Sequence, residues 1–292
     1  MAEIVVSEFI TPEALALLER HHSVHYEPDL WQRPDALAAA LGQARAIVVR
    51  NKTEVRGPVL DAAVRLEAVG RLGVGLDNID VAACEARGIN VLPARGANAS
   101  AVAEYVIGAA LMLLRSVFTA TPRLTAGEWP REQLIGRQVE GKQLGLLGFG
   151  SIGQVTAEKA RALGMEIAAH DPAIADDASC WQGGARRMSF DELLATSDIL
   201  SLHLPLMDAT RGLIGAEALE RMKRGAILVN TARGGIVDEA ALAAALRDGH
   251  LGGAALDVFE TEPIDTATAE LFAGLDNVIL TPHIAGVTDE SN

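Results

Sequence analysis

The sequence predicts an α/β protein with two parallel sheets, each covered by helices. Three observations carry this. Short β-branched or aliphatic runs alternate with Ala/Leu-rich stretches of helical length along the 292 residues, the pattern of strands joined by crossover helices. The alternation breaks once, at a long apolar segment followed by a stretch with Pro122, Gly127 and Pro130, and resumes at Gln143. The apolar content is aliphatic, with aromatics only 4% of residues, which suits helix-on-sheet packing. The length allows two ordinary domains with a core each.

The elements follow in order. The first strand is read over Glu3–Phe9. A helix follows over Pro12–Arg20, with Thr11 as N-cap and Pro12 at the first helical position. Helix Pro34–Leu41 leads to strand Ala46–Arg50, and helix Pro58–Ala63 to strand Leu66–Val69. Helix Val81–Arg87 stops at Gly88, a C-cap glycine, before strand Ile89–Leu92. Helix Ala101–Arg115 and an irregular segment, Phe118–Gln138, separate the two blocks. The second block has strands Gln143–Leu147, Glu166–His170, Ile199–His203, Ala226–Asn230, Gly253–Asp257 and Val278–Leu280. Its helices include Ile152–Leu163, Phe190–Ala195, Ala216–Met222 and Glu239–Arg247. The expected domains are 1–96 with 284–292, and 97–283.

A formal charge of −14 argues against nucleic acid and anionic membranes as general partners. Cys84 and Cys180 lie far apart and read as free thiols in a reducing cytoplasm. The N-terminus lacks a basic, then apolar, leader pattern. The longest apolar stretch, Ala101–Phe118, contains Glu104 and Arg115 and reads as a buried or interface helix, not a membrane span. His21, His22 and His25 have no organised carboxylate partners, so no metal site is expected.

Gly148, Gly150 and Gly153 fit G-x-G-x-x-G, with an apolar strand before and a helical pattern after. In that context Gly148 permits the tight turn, Gly150 lets a pyrophosphate approach, and Gly153 allows close packing. The N–H groups of Ser151 and Ile152 open the helix and can face phosphate oxygens. Asp171 ends the next strand, where a carboxylate accepts from ribose hydroxyls and repels a 2′-phosphate. No Arg follows closely, so NAD is expected over NADP. The expected fold is thus a Rossmann-type doubly wound NAD domain plus a smaller flavodoxin-like α/β substrate domain.

Three polar signatures end later strands: Asn230–Gly235, Asp257–Pro263 and Thr281–Gly286. Oxidising a hydroxy acid needs a proton acceptor as hydride leaves, and His suits this near neutral pH. A carboxylate beside it stabilises the imidazolium. A substrate carboxylate needs the fixed donor fork of Arg. His283, Glu262 and Arg233 can fill these roles. Singly, each also reads as a core histidine, a loop carboxylate or a surface charge; together, downstream of the glycine turn, they read as a site.

Across essentially its whole length the chain resembles the D-2-hydroxyacid dehydrogenase family. The matching segments are Gly70–Asp80, Gly148–Gly153, Asn230–Glu239, Asp257–Pro263 and Pro282–Gly286. The resemblance implies Arg233 as carboxylate anchor, Glu262 as partner of the acid/base and His283 as proton donor or acceptor. It implies that Asp257 and the Thr231–Ala232–Arg233 backbone approach the nicotinamide, and that Gly73–Val74–Gly75 offers N–H groups to the substrate carboxylate. His203 ends a strand where its backbone can line the nicotinamide side. A homodimer through helix Ala101–Arg115 is implied, with Phe118–Gln138 reaching over the partner. Arg50–Asn51–Lys52–Thr53 offers two cations and two neutral donors, read either as a pocket for a second anion, phosphate or sulfonate, or as a solvated loop. The region resembles the phosphate-holding loop of 3-phosphoglycerate dehydrogenases. Val6–Phe9, Thr121–Arg123 with Ala126–Arg131, and His283–Thr288 are more similar to (S)-sulfolactate dehydrogenases. A small dianionic 2-hydroxy or 2-keto acid is the expected partner. The rival reading is an NAD(H)-sensing corepressor-like protein on the same fold; a formate dehydrogenase-like enzyme is disfavoured. Family members usually continue with a further helix beyond the position of Asn292.

Overall fold

The computed structural model describes residues 2–291. It divides into two compact units, one formed by the chain up to Asn98 together with the segment from Thr288, the other by Ala99–Val287. The divisions fall slightly later than residues 96/97 and 283/284. Ala99 already begins a helix, Ala99–Arg115, whose buried face packs in the second unit. Ala285 is buried in the same core, so the chain stays with the second unit past His283.

The first unit holds β1 (Ile4–Val6), β2 (Val24–Tyr26), β3 (Ala46–Val49), β4 (Ala68–Arg71) and β5 (Asn90–Pro93), paired in parallel in the order β2-β1-β3-β4-β5. The Glu3–Phe9 run is strand only over Ile4–Val6: Ser7 N–H still reaches the Val48 carbonyl, but the Ser7 and Glu8 side chains turn to the loop after β3. The edge strand β2 was not legible, since Val24–His25–Tyr26 has no apolar run. Thr11 does cap the first helix, accepting from Ala14 N–H. Gly88 follows helix Val81–Ala86 at φ 70°.

The second unit holds β6 (Gln143–Leu147), β7 (Glu166–His170), β8 (Arg186–Arg187), β9 (Ile199–Leu202), β10 (Ile227–Asn230), β11 (Gly253–Leu256) and β12 (Val278–Leu280). All are parallel, in the order β12-β11-β10-β9-β6-β7-β8. Strands β6, β9, β10 and β11 are buried along their whole length, as a parallel sheet covered on both faces requires. The chain runs outward one way from β6 through β7 and β8, then returns to β9 on the other side. The end of β6 is therefore the topological switch point where ligands bind in doubly wound sheets. Residues 118–138 are not wholly irregular, since Ala120–Thr125 is helical. Pro122 falls in its first turn, where a missing N–H costs nothing. Helix Thr266–Phe272 also escaped the sequence reading, although Asp265 caps it by accepting from Thr268 N–H.

Candidate active site

The glycine turn leaves β6 at the switch point. Gly148 has φ 96°, and a β-carbon there would stand 2.5 Å from the His203 carbonyl oxygen at the end of β9. Only glycine combines that conformation with that contact. Gly153 packs on the turn itself, where a β-carbon would lie 2.6 Å from the Gly148 oxygen. At Gly150 a β-carbon would meet nothing within 4 Å, so the turn leaves open space beside its backbone. Helix Ser151–Ala162 starts there with no side-chain cap, which leaves its first N–H groups and positive dipole end to serve an anion. The Asp171 carboxylate accepts from Phe149 N–H at 2.8 Å and Ala173 N–H at 3.0 Å. It thus ties the turn to β7 and keeps lone pairs for further donors.

The three polar signatures leave neighbouring strands β10, β11 and β12 at one edge, with Asn230 beside Leu256 and Leu256 beside Leu280. Buried Asn230 organises the first, accepting from Ala232 N–H and donating to the Arg233 carbonyl, both at 3.0 Å. The Arg233 guanidinium donates to the Ala232 carbonyl at 2.6 Å. The Thr231 hydroxyl oxygen is buried without a protein hydrogen-bond partner among the described residues, an orphan that a bound group can satisfy.

His283 Nδ1 lies 2.8 Å from Glu262 Oε2, while Glu262 Oε1 accepts from Phe259 N–H at 3.0 Å. An ionised carboxylate only accepts, so Nδ1 carries the proton and Nε2 is left for chemistry. Burial pushes the Glu262 carboxyl up. The His283 hydrogen bond, the Phe259 N–H and the charges of His283 and Arg233 outweigh it and hold the carboxyl below its usual range.

His283 sits at φ 58°, uncommon for a side-chain-bearing residue. The conformation is enforced from Asp257, fully buried at the end of β11. Its Oδ1 accepts from the Thr281 hydroxyl at 2.6 Å and Ile284 N–H at 2.8 Å, its Oδ2 from Ala285 N–H at 2.7 Å, and its carbonyl from His283 N–H at 2.8 Å. Because the Thr281 hydroxyl donates to Asp257, it accepts from Tyr105 at 2.5 Å. Tyr105 was missed by sequence reasoning; nothing local marks a helix tyrosine as a brace for a loop 176 residues on. Burial pushes the His203 imidazole down to about 4, so the ring is neutral near pH 7, with Nε2 3.0 Å from Ser201 Oγ.

In the first unit, the other candidate segments follow the paired strands β3 and β4, with Val49 beside Arg71. Gly73 N–H is directed to the Arg71 carbonyl at 2.9 Å, whereas Val74 and Gly75 N–H meet no protein acceptor among the described residues. Arg71 lies against this turn: its guanidinium donates to the Leu72 carbonyl at 2.6 Å and would abut a β-carbon at Gly73. Sequence reasoning passed over it inside the motif. The loop Arg50–Thr53 departs from expectation in one respect. Thr53 is buried, and its hydroxyl pairs with Ser7 Oγ at 2.8 Å, so it is no outward donor. Arg50 stands over the Phe9 ring and Lys52 over Trp31, and Asn51 is exposed.

Residues 107–285 match the family described as D-isomer specific 2-hydroxyacid dehydrogenase, NAD binding domain. The chain belongs to the D-isomer specific 2-hydroxyacid dehydrogenases. It is 51% identical to an (S)-sulfolactate dehydrogenase from Chromohalobacter salexigens, over the whole of this chain and 94% of that protein. A D-3-phosphoglycerate dehydrogenase from Archaeoglobus fulgidus is 40% identical over 99% of this chain, which spans 54% of that longer relative. A D-lactate dehydrogenase from Aquifex aeolicus, solved with NAD and lactic acid, superposes with TM-score 0.84 at 30% identity, covering 99% of this chain and 90% of the other. This 2-hydroxyacid dehydrogenase is therefore an NAD-dependent oxidoreductase. The positive-φ Gly148, the open space at Gly150 and the unpartnered Thr231 hydroxyl fit a bound dinucleotide. No single helix among its described residues is long and apolar enough to cross a membrane.

Proposed function

We propose that this dehydrogenase interconverts a small dianionic D-2-hydroxy acid, of the 3-sulfolactate or 3-phosphoglycerate type, and its 2-keto acid. The observation that carries the catalytic reading is the 2.8 Å pair between His283 Nδ1 and Glu262. That pair leaves Nε2 to take the hydroxyl proton in oxidation and return it in reduction. NAD, when bound, accepts the hydride. Gly148, Gly150, Ser151, Ile152 and Gly153 hold its pyrophosphate, and Asp171 its ribose. Thr231, Ala232, Asp257 and the His203 backbone flank the nicotinamide. Arg233 holds the substrate carboxylate and polarises the carbonyl, drawing on its charge beside Glu262. Gly73–Val74–Gly75 donates to the carboxylate, chiefly through Val74 and Gly75. Arg50, Asn51 and the neighbouring Arg71 favour a second anion. The 51% identity to a sulfolactate dehydrogenase supports sulfonate ahead of phosphate. The exposed apolar side chains Leu111, Met112, Leu124, Trp129 and Ile135 support a homodimer through helix Ala99–Arg115, and the free thiols of Cys84 and Cys180 suit a reducing, cytoplasmic location.

The test is a substrate panel with NADH: sulfopyruvate, phosphohydroxypyruvate, pyruvate and glyoxylate, on wild type and Arg50→Ala. A wild-type preference for a dianion that Arg50→Ala diminishes is expected. Equal losses on monoanions and dianions remove the second-anion pocket.

A further inference from the structure

Glu8 is 4% exposed, yet no cation is needed to account for it. Its Oε1 accepts from Arg50 N–H at 2.8 Å and Thr53 N–H at 2.9 Å, and its Oε2 from Lys52 N–H at 3.1 Å. A buried carboxylate is costly unless such charge-assisted bonds replace its water. Consecutive N–H groups converging on one point make an anion nest. Here the chain's own Glu8 takes the Arg50, Lys52 and Thr53 N–H groups, so the loop meets a substrate anion chiefly through its side chains. Buried Asn78 holds the same loop from the carbonyl side, its amide donating to the Arg50 oxygen at 3.1 Å and the Thr53 oxygen at 2.7 Å. Its own carbonyl accepts from Val55 N–H at 2.8 Å. Asn78 stands three residues past Gly75, on the segment that carries the Gly73–Gly75 turn. Leu72 N–H, just before that turn, bonds the Val49 carbonyl, just before Arg50, at 2.8 Å.

We propose that Glu8 and Asn78 are positioning residues that fix the separation between the cationic side chains of the Arg50–Thr53 loop and the N–H donors of Val74 and Gly75. They thereby set which distance between two anionic groups a substrate must have. This rests on the second-anion reading above. Neither residue touches the substrate. They act by holding five backbone groups of one loop in register with the turn on the neighbouring strand, so that the long side chain of Arg50 starts from a fixed origin.

The experiment compares full-length wild type, Glu8→Gln, Asn78→Ser and Arg50→Ala with NADH, on the best dianionic and the best monoanionic keto acid of the panel. Glu8→Gln turns one acceptor into a donor facing Lys52 N–H. The expected result in both clamp variants is that kcat/KM for the dianion falls about tenfold more than for the monoanion, through KM, as for loss of one charge-assisted hydrogen bond. Equal losses on the two substrates, or none, overturn the proposal. Lost selectivity in Arg50→Ala with wild-type selectivity in both clamp variants removes the clamp and leaves the pocket. Absence of selectivity in the wild type removes the pocket and the clamp with it. Amide exchange on the wild type is independent of whether any variant folds. Protection of the Arg50, Lys52 and Thr53 N–H groups without substrate is expected, and free exchange there overturns the proposal.

Discussion

Gly234→Ala tests how closely the loop carrying Arg233 must lie on the loop carrying Glu262. A β-carbon at Gly234 would stand 1.7 Å from the Phe259 carbonyl oxygen, 2.0 Å from its carbon and 2.6 Å from Glu260 N. All three are backbone atoms, so no rotamer change relieves the overlap. Reaching even 3.0 Å requires the loops to part by 1.3 Å (3.0 − 1.7). Neither side yields freely. Phe259 N–H is bonded to Glu262, Glu260 N–H to Glu239, and Asn230 grips the Arg233 carbonyl. The displacement therefore reaches Arg233, the Glu262–His283 pair, or both. A misplacement of about 1 Å costs on the order of 10²-fold in rate, and overpacking costs about 1–3 kcal/mol of stability. Steady-state kinetics on the preferred keto acid, NADH titration and thermal unfolding measure the three consequences. kcat/KM falls about a hundredfold, NADH binding changes little, and Tm drops by a few degrees, at about 2–4 °C per kcal/mol for a domain of this size. A variant with kcat/KM within about threefold of wild type, less than 1 kcal/mol in barrier, would refute the idea that the two loops must touch.

Three further predictions follow the same geometry. In Glu262→Gln a single acceptor must serve both the Phe259 N–H and the His283 Nδ1–H. kcat/KM should fall about 10²- to 10⁴-fold with NADH affinity retained, and near-normal turnover would remove the dyad from the mechanism. His203 has a folded pKa of about 4 against 6.5 for the unfolded chain, so between those values the unfolded state binds more protons. Stability present above pH 6.5 is lost as pH falls toward 4, by about 2 kcal/mol after discounting the residue's partial exposure. Denaturant unfolding of wild type and His203→Gln across that range checks this, and identical pH profiles would count against it. If the Asp171 charge is what opposes a 2′-phosphate, Asp171→Asn lowers the preference for NAD over NADP about tenfold or more; unchanged cofactor preference would leave Asp171 only its bonds to the Phe149 and Ala173 N–H groups.

Features readable from the sequence were those that depend on near neighbours. The two α/β blocks show in the alternation of short aliphatic runs with Ala/Leu helices, because burial on both faces of a parallel strand leaves a local apolar signature. The Gly148–Gly153 turn shows because a strand, a positive-φ glycine and a helix start are consecutive. Thr11 and Gly88 show because caps are local. What failed was either too short or too polar to leave such a trace, as with β2, or hidden by a misleading residue, as with Pro122 in the first turn of Ala120–Thr125. The residue types Arg233, Glu262 and His283 were identifiable, but their meeting depends on β10, β11 and β12 lying side by side and on Gly234 admitting the Phe259 backbone. Asp257 and Tyr105 as braces of His283 could not be read at all, since their contacts are fixed by packing across the sheet. The Arg50–Thr53 loop shows the difference most clearly. By itself the sequence determined that two cations and two neutral donors follow a strand. Only the tertiary structure decided that Thr53 faces inward and that Glu8, 42 residues before Arg50, already fills the nest of N–H groups. The physical reason is that a buried carboxylate chooses its donors by desolvation and distance in space, and neither quantity is written in the spacing of residues along the chain.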